Sequence, residues 1–275
     1  QADLLEKKKA TLPFELTAAQ ERSLNEILQD MKSPAHMNRL LQGDVGSGKT
    51  VVAGLDMYAT YTAGFQSALM VPTEILAEQH FDSLSQLFPE LRIILLTGGM
   101  KPAERRQALE AIEAGQVDMI VGTHALIQES VTYHQLGLVI IDEQHKFGVR
   151  QRKLLRDKGN LANLIVMSAT PIPRSLALTI YGDLDVSIID ELPSGRSPIK
   201  TKWIKDEIEK QKMYDFIDRM IEKGRQVYIV SPLIEESETL NVKSAQETFE
   251  EYKDIFPNRR IDIIHGRQKY KEKQE

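Results

Sequence analysis

A chain of 275 residues, 41% hydrophobic and 27% charged, suits a globular protein of one or two domains and excludes a disordered or fibrous one. It has no cysteine, which excludes disulfides and thiolate metal sites, and its net charge of -5 excludes a global basic field, so any nucleic-acid contact must use a local patch. Apolar runs all fall short of the roughly 20 residues that span a bilayer, and the opening "QADLLEKKKA" has no apolar signal core, so a cytoplasmic protein without a membrane partner is expected.

In chain order, "TAAQ" from Thr17 reads as a capping box, with Gln20 reaching back to the first helical N–H groups. Leu24, Ile27, Leu28 and Met31 then follow helical spacing. "RLLQ" (39–42) reads as a buried strand, and the glycine-rich "GDVGSGKT" leads from it into a second helix. Further strands are expected at "SALMV" (67–71), "RIILL" (92–96), "DMIVG" (118–122), "LVII" (138–141) and "LIVMS" (164–168), with a helix around Ala108, Leu109 and Ile112. Several of these strands are apolar throughout, as parallel strands covered on both faces are. The alternation predicts an α/β fold with a doubly wound parallel sheet, whose ligands sit beyond the carboxyl ends of the strands.

After residue 190, "DELPSGRSPIKT" reads as a linker, and the pattern then restarts. A strand "TKWI", a helix from about Asp206 to Lys223, a strand "QVYIVSP", a charged helical stretch and a strand "RIDIIHG" are expected there. That gives a second α/β unit with three strands where the first has at least six.

Three segments carry chemistry. Gly43, Gly48, Lys49 and Thr50 fit the phosphate-binding pattern G-x-x-x-x-G-K-[ST], and Asp44, Val45, Gly46 and Ser47 complete the loop. Glycines let successive N–H groups point at phosphate oxygens while the following helix adds the positive end of its dipole. Lys49 would hold the outer phosphates of a nucleotide and Thr50 would offer its hydroxyl to Mg²⁺. In "LVIIDEQHKFG" a strand ends in Asp142 and Glu143, which places one carboxylate at the metal and the other at the attacking water. Alone, such a strand end is a solvated acidic turn; the glycine loop is what gives it a role. His145 lacks the second histidine that a zinc site needs, so no structural metal is expected. "MSATPIPRS" (167–175) leaves another strand with two small hydroxyls, Ser168 and Thr170; by itself it is a proline-rich strand exit.

In this order, "GDVGSGKT", "DEQH" and "SATPIPRS" resemble motifs I, II and III of the superfamily-two helicases and translocases. "PFELTAAQ" (13–20), "VPTEILAEQH" (71–80), "LLTGG" (95–99) and "VGTHALIQ" (121–128) resemble the Q motif and motifs Ia, Ib and Ic. Within that superfamily, "DEQHKFGVRQR" and "ATPIPRSLALTIYGDLDVSIIDELPSGR" are similar to the bacterial enzymes that remodel stalled replication forks and branched DNA. Transcription-repair coupling translocases share "PIPR" and "FGV" but resemble "DEQR" at the acidic box, and are the weaker match.

The resemblance implies a RecA-like motor domain over residues 1–192, a linker at 193–200 and part of a second RecA-like domain at 201–275. It implies ATP and Mg²⁺ as cofactors, with Asp142, Glu143 and Lys49 catalytic, and Thr50 and Asp142 at the metal. Phe14 and Gln20 would join the glycine loop in holding the nucleotide, with Gln20 reading adenine, a role that competes with its helix cap. Gln144, His145, Ser168 and Thr170 would couple nucleotide state to domain movement. Pro72, Thr73, Gly98, Gly99, Thr123 and His124 would lie near the backbone of branched or forked DNA. A bacterial, cytoplasmic protein, monomeric in its full-length form, is expected. The family's wedge domain and arginine-bearing motif VI would lie before Gln1 and after Glu275, so the stretch reads as a fragment with little turnover of its own. The competing reading is a nucleotide-dependent switch that grips a protein partner and does not translocate.

Overall fold

The computed structural model describes residues 2–44, 46–142, 157–158, 162–169, 184–190, 199–231 and 238–265. The chain divides into two compact units, Gln1–Ser197 and Pro198–Glu275.

The first unit opens with α1 (Ala2–Ala10) and α2 (Ala18–Lys32), followed by β1 (Asn38–Gly43), α3 (Lys49–Thr62), β2 (Gln66–Met70) and α4 (Glu74–Leu87). Then come β3 (Ile93–Leu96), α5 (Pro102–Glu113), β4 (Met119–Gly122), a single 3₁₀ turn His124–Ile127, β5 (Leu136–Asp142), β6 (Asn163–Ser168) and β7 (Asp185–Ile189). Local chemistry sets the helix starts. At α2 the extended Thr17 accepts the Gln20 N–H on Oγ1 (3.1 Å), and Gln20 Oε1 accepts the Thr17 N–H (2.9 Å), so both halves of the capping box are made; such a cap is worth about 1 kcal/mol. Thr73 caps α4 through Leu76 N–H, and α5 begins with Pro102, whose missing N–H costs nothing in a first turn.

Among the described residues the strands form one sheet in the order β3-β4-β2-β5-β6-β1-β7, with every pair parallel. Alternate side chains feed opposite faces. Leu41, Leu69, Leu138 and Ile140 join Leu24, Ile27, Leu55 and Leu84 on one side; Leu40, Met70, Val139 and Ile141 join Ile112 and Leu126 on the other. This is the doubly covered parallel sheet that the apolar runs predict.

β7 was not among the expected strands. It lies at the sheet edge, and "DVSII" shows a mixed burial pattern instead of an apolar run. It is held beside β1 by pairing such as Leu40 with Val186, and by Arg39, which donates to Ser187 Oγ at 2.9 Å from its place beside Asp30 and Glu26.

In the second unit, the helix expected from Asp206 to Lys223 is α6 (Glu207–Glu222), with Asp206 Oδ1 accepting the Glu209 N–H at 2.8 Å. The charged stretch is α7 (Glu238–Ile255). Tyr214 of α6 meets Tyr252 of α7 and the adjacent Phe256 edge-on, and Arg259 Nε donates to Asp218 Oδ1 at 2.8 Å. Among the described residues the three expected strands do not form: those of "TKWI", "QVYIVSP" and "RIDIIHG" carry no regular secondary structure. Ile217, Phe249, Tyr252 and Ile263 instead line an apolar hollow of ≈ 640 Å³ with the exposed run 227–230, and Trp203 stays exposed. An alternating run determines which side chains share a face, but a strand also needs hydrogen-bonding neighbours, and among the described residues none of the three runs has one.

Among the described residues no helix is long and apolar enough to cross a membrane.

Candidate functional site

The glycine loop leaves β1, near the centre of one half of the sheet. Gly46 and Gly48 have φ of 81° and 89°, in the left-handed region that side chains disfavour. The tight path is closed by Ser47 N–H donating to Asp44 C=O at 2.9 Å. Gly48 is also the N-cap residue of α3 and supplies no side-chain cap, so the first N–H groups of that helix remain directed at the loop. Ser47 is buried, and its Oγ has no hydrogen-bond partner among the described residues.

Lys49 turns its ammonium back onto its own loop, donating to Gly43 C=O and, at 3.2 Å, to Asp44 C=O. Burial pulls its pKa below the ordinary lysine value, while the carboxylates of Asp142 and Asp44 act in the opposite sense. Asp142 ends β5 and is itself buried. β6 lies between β5 and β1, with Gln42 opposite Ser168 and Asp142 opposite Met167, so the glycine loop, Ser168 and Asp142 stand at the carboxyl ends of three adjacent strands. Thr50, in the first turn of α3, is half-buried. Val45, Glu143, Gln144, His145 and Thr170 lie outside the described residues.

Gln20 reaches the same loop from α2. Besides its part in the cap, its Nε2 donates to Ser47 C=O at 3.1 Å, so both ends of the amide are engaged within the protein. Phe14 is exposed, beside Lys9 and Glu21, on a hollow formed by α1 and the segment before α2.

The remaining expected residues gather on the other half of the same sheet edge, beyond β2, β4 and β3. Pro72 and Thr73 follow β2, Gly98 and Gly99 follow β3, and Thr123 and His124 follow β4. Gly98, Gly99 and His124 are exposed, and Gly99 N–H donates to Glu74 Oε1 at 3.1 Å, which fixes the turn after β3 to the start of α4. Thr123 is buried, and its Oγ1 has no partner among the described residues.

One neighbour of the site was not anticipated. His80, on α4, places Nε2 3.5 Å from Asp142 Oδ2, with both side chains largely shielded from solvent. It closes the quoted "VPTEILAEQH", two helical turns after Thr73, but nothing in its spacing points to a carboxylate so distant in the chain.

The model of the DEAD/DEAH box helicase family matches residues 17–179. The ATP-dependent DNA helicase RecG of Streptococcus pneumoniae is 60% identical over 266 residues, covering 96% of this chain and 40% of that protein. A RecG of Staphylococcus epidermidis is 53% identical over 94% of this chain and 38% of its own length. The chain thus spans about two fifths of the length of the curated relatives it matches. Among solved structures, RecG bound to a three-way DNA junction superposes with a TM-score of 0.78 at 45% identity, over 93% of this chain and 33% of that one. The helicase MrfA bound to DNA, at 17% identity and a TM-score of 0.66, shares the fold. The first unit has the RecA-like helicase fold.

Proposed function

Since the chain belongs to the DEAD/DEAH box helicase family, we propose that it carries the ATP-binding part of a cytoplasmic DNA motor that acts on branched DNA and stalled forks in recombination and repair. The observation that carries this reading is the glycine loop leaving β1 with the Lys49 ammonium inside it and the Asp142 carboxylate nearby. Residues 1–192 are then the first motor domain and 201–275 the beginning of the second, a boundary supported by the division of the chain at Ser197 and Pro198.

The residues fit a magnesium nucleotide. Two left-handed glycines bend the loop as a phosphate cradle requires, Ser47 Oγ lies buried there without a described partner, and Thr50 and Asp142 provide the hard oxygen donors that Mg²⁺ prefers. Mg²⁺, when bound, neutralises charge on the phosphates. Lys49 exchanges its two carbonyl partners for outer phosphate oxygens, an exchange eased because those carbonyls leave a buried ammonium only partly compensated. Glu143 orients the attacking water. Phe14 borders the adenine, and Gln20 reads it by releasing one of its two internal bonds. Gln144, His145, Ser168 and Thr170 relay nucleotide state, and Pro72, Thr73, Gly98, Gly99, Thr123 and His124 meet the DNA backbone.

The similarity to RecG on a three-way junction supports branched DNA as the substrate. A chain extended to the length of those relatives should hydrolyse ATP faster with a three-way junction than with linear duplex. Hydrolysis unchanged by any DNA would overturn the motor in favour of a nucleotide-dependent switch.

A further inference from the structure

α4 is tied at its start and at its middle. At its start, Glu74 holds the turn after β3 through the Gly99 N–H, and Thr73 caps the helix directly after β2. Two turns along, His80 Nε2 faces Asp142 Oδ2 at 3.5 Å, and the side chains are only 14% and 8% exposed. One helix therefore joins the exposed turns beyond β2 and β3 to the carboxylate at the end of β5.

We propose that His80 is a positioning residue for Asp142: its Nε2 side fixes one carboxylate oxygen from α4, leaving the other directed at the metal of the nucleotide. This rests on the reading of Asp142 as a Mg²⁺ ligand. A carboxylate at a strand end can rotate about its terminal bond, and a metal ligand held by an outer partner binds more tightly than one free to turn. The 3.5 Å separation is long for a hydrogen bond, as contacts in a site without its ligand often are. Because the same helix holds Gly99, a displacement of that turn would pass to the carboxylate as a rigid movement of α4.

The test is the Mg²⁺ dependence of nucleotide binding by this chain, read with a fluorescent methylanthraniloyl-ADP titrated at rising Mg²⁺. His80→Ala should raise the Mg²⁺ concentration for half-maximal effect by roughly tenfold, the lower range for loss of a group that orients a metal ligand. Binding without Mg²⁺ and the melting temperature should stay as in the wild type. His80→Gln, whose amide nitrogen occupies nearly the place of Nε2, should recover most of the loss; a residue that merely fills space would not show this rescue. Asp142→Asn provides the reference. If Asp142→Asn shifts the midpoint and His80→Ala does not, or if His80→Gln is as impaired as His80→Ala, the positioning role is wrong and the site reading stands. If Asp142→Asn leaves the midpoint where it was, the metal reading itself fails and takes this proposal with it.

Discussion

Gly48 and Gln20 occupy each other's space: a Cβ built at Gly48 would stand 1.9 Å from Gln20 Nε2. The amide that caps α2 also packs over the glycine loop, so the loop path, the helix start and the left-handed backbone at Gly48 depend on one another.

Gly48→Ala should therefore be doubly unfavourable. The left-handed φ alone costs about 1 kcal/mol or more, and the new methyl must expel Gln20 from Ser47. Denaturant unfolding should show the loss, and nucleotide affinity should fall with it. Adding Gln20→Ala should relieve the clash but not the backbone cost; full recovery of stability in the double variant would show that the φ of Gly48 is not what constrains this position.

Lys49→Ala should separate stability from binding. Burial disfavours the Lys49 ammonium in the folded chain, so its loss should leave the melting temperature unchanged or slightly raised at neutral pH. Nucleotide binding should be abolished, because no other ammonium is placed in the loop among the described residues. Equal affinity in the folded variant would refute the assignment.

Asp56, on α3, is completely buried, and neither carboxylate oxygen has a hydrogen-bond partner among the described residues. Burial raises its pKa well above the usual aspartate value, with Arg39 opposing. Below the unfolded pKa the group is neutral in both states and its ionisation contributes nothing to the balance. As pH rises past that value the unfolded chain ionises first, so stability falls until the folded pKa is reached. Asp56→Asn should match the wild type in acid and become progressively the more stable protein towards neutral pH. Parallel stability–pH curves for the two would contradict this.

Much of the first unit was legible because its signals are local. The runs at β1, β2, β4, β5 and β6 are apolar on both faces, and a loop needing left-handed backbone announces itself in glycines. β7 was missed because edge exposure dilutes its apolar run, and the strands expected in the second unit failed because a ladder depends on neighbours that no single run encodes. The capping box at Thr17 and Gln20 could be read directly, but its third contact, to Ser47, joins distant segments. The approach of His80 to Asp142 is of the same kind: it exists only once α4 has crossed the face of the sheet.

DNA binding by this chain should be weak, indifferent to sequence and steeply reduced by salt, since contacts from the exposed residues Gly98, Gly99 and His124 would be to the phosphate backbone and not to base edges. Fluorescence anisotropy with unrelated duplexes over a salt series would check this. Tight binding to one sequence, unaffected by salt, would count against it.

The position of β1 between β6 and β7 has a consequence for synthesis. Leu40 pairs with Val166 on one side and Val186 on the other, so the strand that bears the glycine loop leaves the ribosome long before either partner exists. At ~5–20 residues per second the wait is on the order of ten seconds. During it, the apolar β1 is an unpaired edge that chaperones or neighbouring nascent chains can reach. Stalled chains that end before Asn163 should therefore retain no nucleotide, and chains released just past Ile189 should begin to do so. The glycine loop is translated well before the two strands that fix its setting.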